Sequence, residues 1–238
     1  MSEDRVYEGR DLEAMSFAEN YHRWIFREVE PHLGRRIIEV GAGAGDFARL
    51  LLETNPERLH LVEPSANHSA TLLNRFSEDR RVQVWSGFLT EVASEVQDEI
   101  DTIVYVNVLE HVRNDTVEIA SVYSTLRRGG NVCIFVPALA WLYSDFDARV
   151  GHYRRYGRAG IIDLLRSNGF EIIEVKYMDI VGILPWYLVY TLGRRTLAGA
   201  HVVAYDRAVV PWLQRLERAI HPPIGKNLLA IGRKPSEG

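Results

Sequence analysis

Three glycines at alternate positions, Gly41, Gly43 and Gly45 in "RIIEVGAGAGDFARLL", stand between an apolar run and a stretch with helical spacing. Glycine enters backbone conformations that a Cβ forbids, so such a turn lets the chain approach a ligand closely. A strand that feeds straight into a helix opens a βαβ unit, whose strands lie parallel. This one stretch therefore commits the chain to an α/β architecture with a ligand near the first turn.

The rest of the chain keeps that rhythm. "LHLVE" precedes "SANHSATLLNRF", "RVQVW" precedes "LTEVASEV", and "IDTIVYVNV" precedes "VRNDTVEIASVYSTL", which leads into "NVCIFVP". After an interruption, "RAGIIDLLRSNG" precedes "FEIIEVKYM". The alternation predicts a parallel sheet with helices on both faces. The last run, "NLLAIGRK", follows "HPPIGK", a tight turn in place of a crossover helix, which predicts an antiparallel last strand.

Before the sheet, Leu12, Met15, Ala18, Tyr21, Ile25 and Val29 recur at helical spacing up to Pro31 and predict an amphipathic helix. With 238 residues, a single domain over 1–238 is expected, with a helical cap at 1–34, a loop at 138–158 and a helical insertion at 179–222. A loop as long as 138–158 inside a compact domain is usually functional. The apolar stretch from Ile180 to Gly193 is broken by Pro185 and falls short of the roughly 20 residues of a spanning helix.

The ligand follows from charge and spacing. Glu63, 18 residues past Gly45 at the end of the second strand, stands where an acid binds both hydroxyls of a ribose. A dinucleotide would call for G-x-G-x-x-G with its pyrophosphate at the helix N-terminus, but the sixth position here is Asp46. An acid there disfavours phosphate and suits a zwitterionic or cationic nucleoside.

With Glu39 included, E-x-G-x-G-x-G resembles the cofactor-binding turn of class I S-adenosylmethionine-dependent methyltransferases. "LHLVEPS" resembles the family's ribose-binding segment, "GFLTEV" its adenine-side loop, "YVNVLEHV" the end of strand four and "LRRGGNVCIFVPA" the turn into strand five. The resemblance covers most of the chain. It implies a Rossmann-like, seven-stranded α/β sheet with an antiparallel last strand and substrate-side insertions after strands five and six. It implies S-adenosylmethionine as cofactor, with Gly41, Gly43 and Gly45 along its methionine and ribose, Glu39 in the same turn, and Glu63 and Pro64 at the ribose. Gly87 and Phe88 would lie at adenine and Asn107 at the amino-acid end. Many relatives have an Asp beside adenine where this chain has Ser86, Gly87 and Phe88. "NYHRWI" resembles a lid helix of some relatives, which makes Tyr21 a candidate for the cofactor's carboxylate or, alternatively, a core aromatic.

The substrate side is read from "DFDARVGHYRRYG", which resembles a "GH-x-RRY" signature in a methyltransferase subgroup related to ubiquinone-biosynthesis and natural-product enzymes. Two readings stand. In one, His152 takes a proton from the acceptor, as an imidazole with a near-neutral pKa is suited to do, while Arg154 or Arg155 grips an anionic group and Asp147 and Tyr156 complete the substrate site. In the other, the arginines pair with Asp145 and Asp147 and the tyrosines cover the core. His111, after strand four, reads as a second candidate base or as a residue shaping the site; Glu110 reads as structural or solvated. "ILPWYLVYTL" with Trp212 fits a lid over an apolar acceptor, a dimer face or a peripheral membrane contact.

The expected activity is methyl transfer to a small-molecule acceptor, apolar with an anionic group, with oxygen favoured as the methylated atom. The competing readings are a cofactor-binding protein without turnover and an NAD(P)-dependent oxidoreductase. With 28 Lys plus Arg against 32 Asp plus Glu and no basic run, nucleic acid is not an expected partner. No group of His, Cys and acids has metal-ligand spacing, so no metal is expected. Cys133 in "NVCIFVP" reads as a small buried residue, and with a polar, acidic N-terminus it points to the cytoplasm. The oligomeric state and the acceptor's identity are not legible.

Overall fold

The computed structural model describes residues 18–96, 100–193 and 199–236. Seven strands form one sheet: β1 Arg36–Val40, β2 Arg58–Glu63, β3 Val82–Ser86, β4 Ile100–Val106, β5 Leu126–Pro137, β6 Glu171–Met178 and β7 Asn227–Arg233. Their spatial order is β3-β2-β1-β4-β5-β7-β6. The first five pair in parallel, while β7 runs antiparallel to both β5 and β6. The principal helices are α1 Glu19–Val29, α2 Asp46–Glu53, α3 Ala66–Arg75, α4 Asp115–Thr125, α5 Asp145–Arg149, α6 Arg158–Ser167, α7 Gly199–Ala208 and α8 Val210–Ile220.

The two-residue period of a strand delivers this sheet to two cores. On β1, Ile37 joins the core beneath α1, α2 and α8, whereas Ile38 and Val40 join the core beneath α4 and α6. On β5, Cys133 and Phe135 go to the first core and Val132, Ile134 and Val136 to the second. Cys133 is fully buried, and burial pushes its thiol up. The switch from leftward to rightward strand order falls between β1 and β4, which puts the ligand crevice above their carboxyl ends.

Local differences from the sequence reading have local causes. β5 begins at Leu126, five residues before "NVCIFVP", because a register irregularity between Ile100 and Thr102 of β4 accommodates the "LRRGG" turn. α4 starts only at Asp115, where the Asn114 side chain accepts from the Val117 amide and caps the helix. "LTEVASEV" forms a helical turn at Leu89–Val92 and a 3-10 turn at Ala93–Glu95. The 138–158 loop contains α5, and the apolar stretch continues from a helical turn at Ile183–Trp186 into a π-helix at Tyr187–Leu192. Leu12 and Met15 of the expected first helix lie outside the described residues, as do 194–198 of the insertion. No helix among the described residues is long and apolar enough to cross a membrane.

Entry into β7 is set by Gly225. A Cβ on this residue would lie 2.4 Å from the Met178 carbonyl oxygen and 2.7 Å from its amide nitrogen, backbone atoms held by the β6–β7 ladder. We expect Gly225→Ala to cost about 1–3 kcal/mol, as overpacking against atoms that cannot move aside usually does. Thermal unfolding measures it: the variant's midpoint falls below that of wild type, and an unchanged midpoint contradicts the tight turn.

Candidate active site

Gly41, Gly43 and Gly45 all adopt positive φ, at +69°, +54° and +84°. The turn is drawn over the sheet by the Gly41 amide, which donates to the Val62 carbonyl at 2.8 Å. The Gly43 amide donates to Oε2 of Glu63 at 2.8 Å, and the Ser65 amide donates to Oε1 of the same carboxylate at 2.9 Å. A Cβ on Gly41 would press on Val108 at 2.5 Å, so glycine is required there by space as well as by φ. Asp46 opens α2 and pairs with Arg75 at 2.9 Å.

Glu39 lies under this turn, fully enclosed, and its Oε2 has no hydrogen-bond partner. Burial, with Glu63 and Asp46 adding to it, raises its pKa well above the usual carboxylate range. Three carboxyl groups thus converge on the glycine turn. Glu39 is held in its neutral form and Asp46 is paired with Arg75, so the acid left to face a ligand at this turn is Glu63, which suits ribose hydroxyls and not a pyrophosphate. The donor set therefore fits S-adenosylmethionine. Next to Glu63, Gly87 donates to the Glu63 carbonyl at 3.1 Å, Phe88 keeps 42% of its surface exposed, and Pro64 follows in sequence. Asn107 stands at positive φ, +54°, past the end of β4, its amide donating to the Phe135 carbonyl at 2.8 Å. A non-glycine residue held in this conformation is characteristic of functional turns.

Tyr21 packs edge-on against Trp24 and Phe135 in the core beneath α1. Its hydroxyl is buried between Asp179 Oδ2 at 3.1 Å and Asn227 Oδ1 at 3.0 Å, with the Lys226 ammonium 5.2 Å from its ring centre. Of the two sequence readings, the core aromatic matches these contacts.

A second group gathers beyond β4 and β5. Asp147, expected at the acceptor, is fully buried in α5, where Oδ2 accepts from the Ser144 amide and hydroxyl at 2.9 and 3.0 Å. Its Oδ1 takes Arg155 Nε at 3.0 Å and Nη2 at 2.8 Å, and faces His152 Nδ1 at 3.0 Å. Burial works to raise this carboxyl, but His152 and Arg155 outweigh it and hold it below the usual range. Arg155 also accepts Trp186 against its guanidinium at 4.6 Å from the ring centre. Arg154 pairs with Asp115 at 2.5 Å and donates to the Arg113 carbonyl, and the Tyr156 hydroxyl reaches Asp115 at 2.9 Å. Arg154 thus pairs with Asp115, and Arg154, Arg155 and Tyr156 each have partners within the protein.

His152 turns Nδ1 to the Asp147 carboxylate, which leaves Nε2 for other partners. That Nε2 lies 3.9 Å from Glu110 Oε1, and the His111 ring stands 4.5 Å from the His152 ring, nearly perpendicular. Glu110 is not solvated: it is 0% exposed, and neither carboxylate oxygen has a hydrogen-bond partner. Burial pushes its carboxyl up to about 8, with its own backbone N–H and Arg155 opposing the rise and Asp147 adding to it. Spacing could not show this group, since Glu110-His111 and His152 come from different loops. The sequence signal is an acid beside a histidine just after the apolar strand "IDTIVYV".

Comparison with known proteins fits this geometry. A family model described as "Methyltransferase domain" matches residues 14–175. None of the curated proteins is similar enough in sequence to be matched. Among solved structures, the chain is similar to the protein bound to the Haloferax volcanii Trm112 methyltransferase activator, with 14% identity over 96% of this chain and 95% of that one and a TM-score of 0.67. It is similar to an S-adenosylmethionine-dependent methyltransferase of Archaeoglobus fulgidus, with 16% identity, 95% and 100% coverage and a TM-score of 0.65. It is also similar to Haemonchus contortus phosphoethanolamine N-methyltransferase 2 in complex with S-adenosylmethionine, with 20% identity, a TM-score of 0.63, and 91% of this chain aligned on 52% of that one. At these identities the structures speak for the fold, and the match over residues 14–175 speaks for the family: the chain belongs to the methyltransferase-domain family, as an S-adenosylmethionine-dependent methyltransferase.

Proposed function

We propose that this enzyme methylates an oxygen atom of a small-molecule acceptor, apolar with an anionic group, and that the GH-x-RRY loop marks its subgroup. The observation that carries the cofactor half is the Gly43 amide on the Glu63 carboxylate, which fixes an acid against a turn of left-handed glycines. Each Glu63 oxygen keeps a second lone pair, one for each ribose hydroxyl. Gly41, Gly43 and Gly45 line the methionine and ribose, with Glu39 beneath them and Pro64 beside the ribose. Gly87 and Phe88 cover adenine, and Asn107 meets the amino-acid end. Tyr21 is left out of the set because its hydroxyl already has two internal partners.

When bound, the cofactor supplies a methyl group already activated by its sulfonium charge. The protein's part is to hold an acceptor oxygen in line with that methyl and to remove its proton. In this reading His152, oriented by Asp147, offers Nε2 to the acceptor, and His111 stands beside it. The 138–158 loop packs on the 179–222 insertion through Trp141 against Tyr187 and Phe146 against Trp186, at 5.8 and 5.5 Å between ring centres. Exposed Leu184 and Leu188 on that insertion supply apolar surface for the acceptor. We place all of this in one domain over 1–238, capped by 1–34. An NAD(P)-dependent reading would set a pyrophosphate beside Asp46 and Glu63, and we do not favour it.

Calorimetric titration tests the cofactor half. We expect S-adenosylmethionine and S-adenosylhomocysteine to bind wild type in the micromolar range and NADH not to bind. Gly43→Asp, which adds bulk and charge to the turn, abolishes both; unchanged affinity removes the turn from the site. For the acceptor half, His152→Ala keeps its affinity for S-adenosylhomocysteine and loses about 10²–10⁴-fold in turnover. Normal turnover on an identified acceptor would exclude a role for His152 in activation.

A further inference from the structure

The acceptor end holds more than a base needs. Glu110, His111 and His152 each present a ligand atom, and these atoms lie within 4.8 Å of one another. Glu110 is buried with both oxygens lacking a hydrogen-bond partner, an arrangement that costs free energy unless something outside the protein completes it. His152 is held through Nδ1 by the Asp147 carboxylate, the outer-shell contact that orients metal-binding imidazoles and leaves Nε2 free to coordinate. From these contacts we infer that Glu110, His111 and His152 bind a divalent transition-metal ion.

The donor set selects the ion. Two imidazoles and one carboxylate suit zinc(II) and its first-row neighbours, whereas magnesium and calcium prefer oxygen throughout. Ligand atoms around such an ion, each at about 2.1 Å, stand about 3.4 Å apart in tetrahedral geometry. Binding at that spacing requires the three ligand atoms, now within 4.8 Å of one another, to draw closer around the ion. Asp147 and Arg155 offset each other through their ion pair, leaving Glu110 to face the cation and to release its proton on coordination. Three protein ligands leave at least one coordination position open, as in catalytic rather than structural sites.

This inference deepens the proposed methyl transfer and rests on it for its role. An acceptor hydroxyl in the open position would be acidified by coordination and release its proton to solvent, with its oxygen held for transfer. His152 then acts as a ligand, and the ion replaces it as the activating group.

The test uses chelator-treated full-length protein, titrated with zinc(II) by calorimetry and with cobalt(II) by visible absorption. The expected result is one ion per chain, cobalt bands of four- or five-coordinate intensity, and at least a 100-fold loss of affinity in Glu110→Gln. His111→Ala provides the same comparison should the buried Glu110 variant fail to fold. Equal affinity in wild type and in a folded variant places the ion elsewhere and overturns the inference, as does absence of saturable binding by wild type. S-adenosylhomocysteine titrated into the same metal-free samples separates the two ideas. Its binding without any ion site overturns the inference alone, and an ion site without its binding overturns the placement of the cofactor.

Discussion

The Glu63 carboxylate ties two strand ends together: one oxygen receives the Gly43 amide from the turn after β1, the other the Ser65 amide from the turn after β2. Hydrogen bonds to an ionised acceptor are about twice as strong as neutral ones. Here they hold a turn whose three positive-φ glycines would otherwise carry a large conformational entropy cost. The Ser69 hydroxyl on the Glu63 carbonyl at 2.9 Å anchors α3 to the same residue. Strand order, helix entry and ligand polarity thus meet at one side chain.

Asp147 has the corresponding place at the acceptor end. Four groups from one loop donate to it or face it, and through Arg155 it connects to Trp186 on the insertion. A buried pair such as Asp147 with Arg155 adds little net stability, but loss of either partner strands a charge at a cost of about 3–5 kcal/mol. The pair's value lies in geometry: it presents His152 Nε2 toward Glu110 and His111. In the GH-x-RRY run Arg154, Arg155 and Tyr156 all have partners within the protein.

How much of this was legible depended on whether a signal was local. The glycine turn, Glu63 and the strand-helix alternation are encoded within short windows, and the sheet follows them, including β7, whose antiparallel direction was read from a short Pro-Pro turn. Roles in the substrate loop were not legible, because arginines and tyrosines at one spacing serve equally as ligands or as internal partners. Arg154 found Asp115 on α4, outside its own loop. Glu110 was set aside in the sequence reading because a single acid gives no sign of being buried without a partner. Its meeting with His152 is a product of the tertiary fold.

The central claim is that Glu63 both shapes the glycine turn and receives the cofactor's ribose. Calorimetric titration of Glu63→Gln with S-adenosylhomocysteine tests it most directly, since the amide NH₂ would face backbone donors and cannot replace both carboxylate oxygens. The account predicts at least a 10-fold loss of affinity in a variant that remains folded. Affinity equal to that of wild type would contradict it.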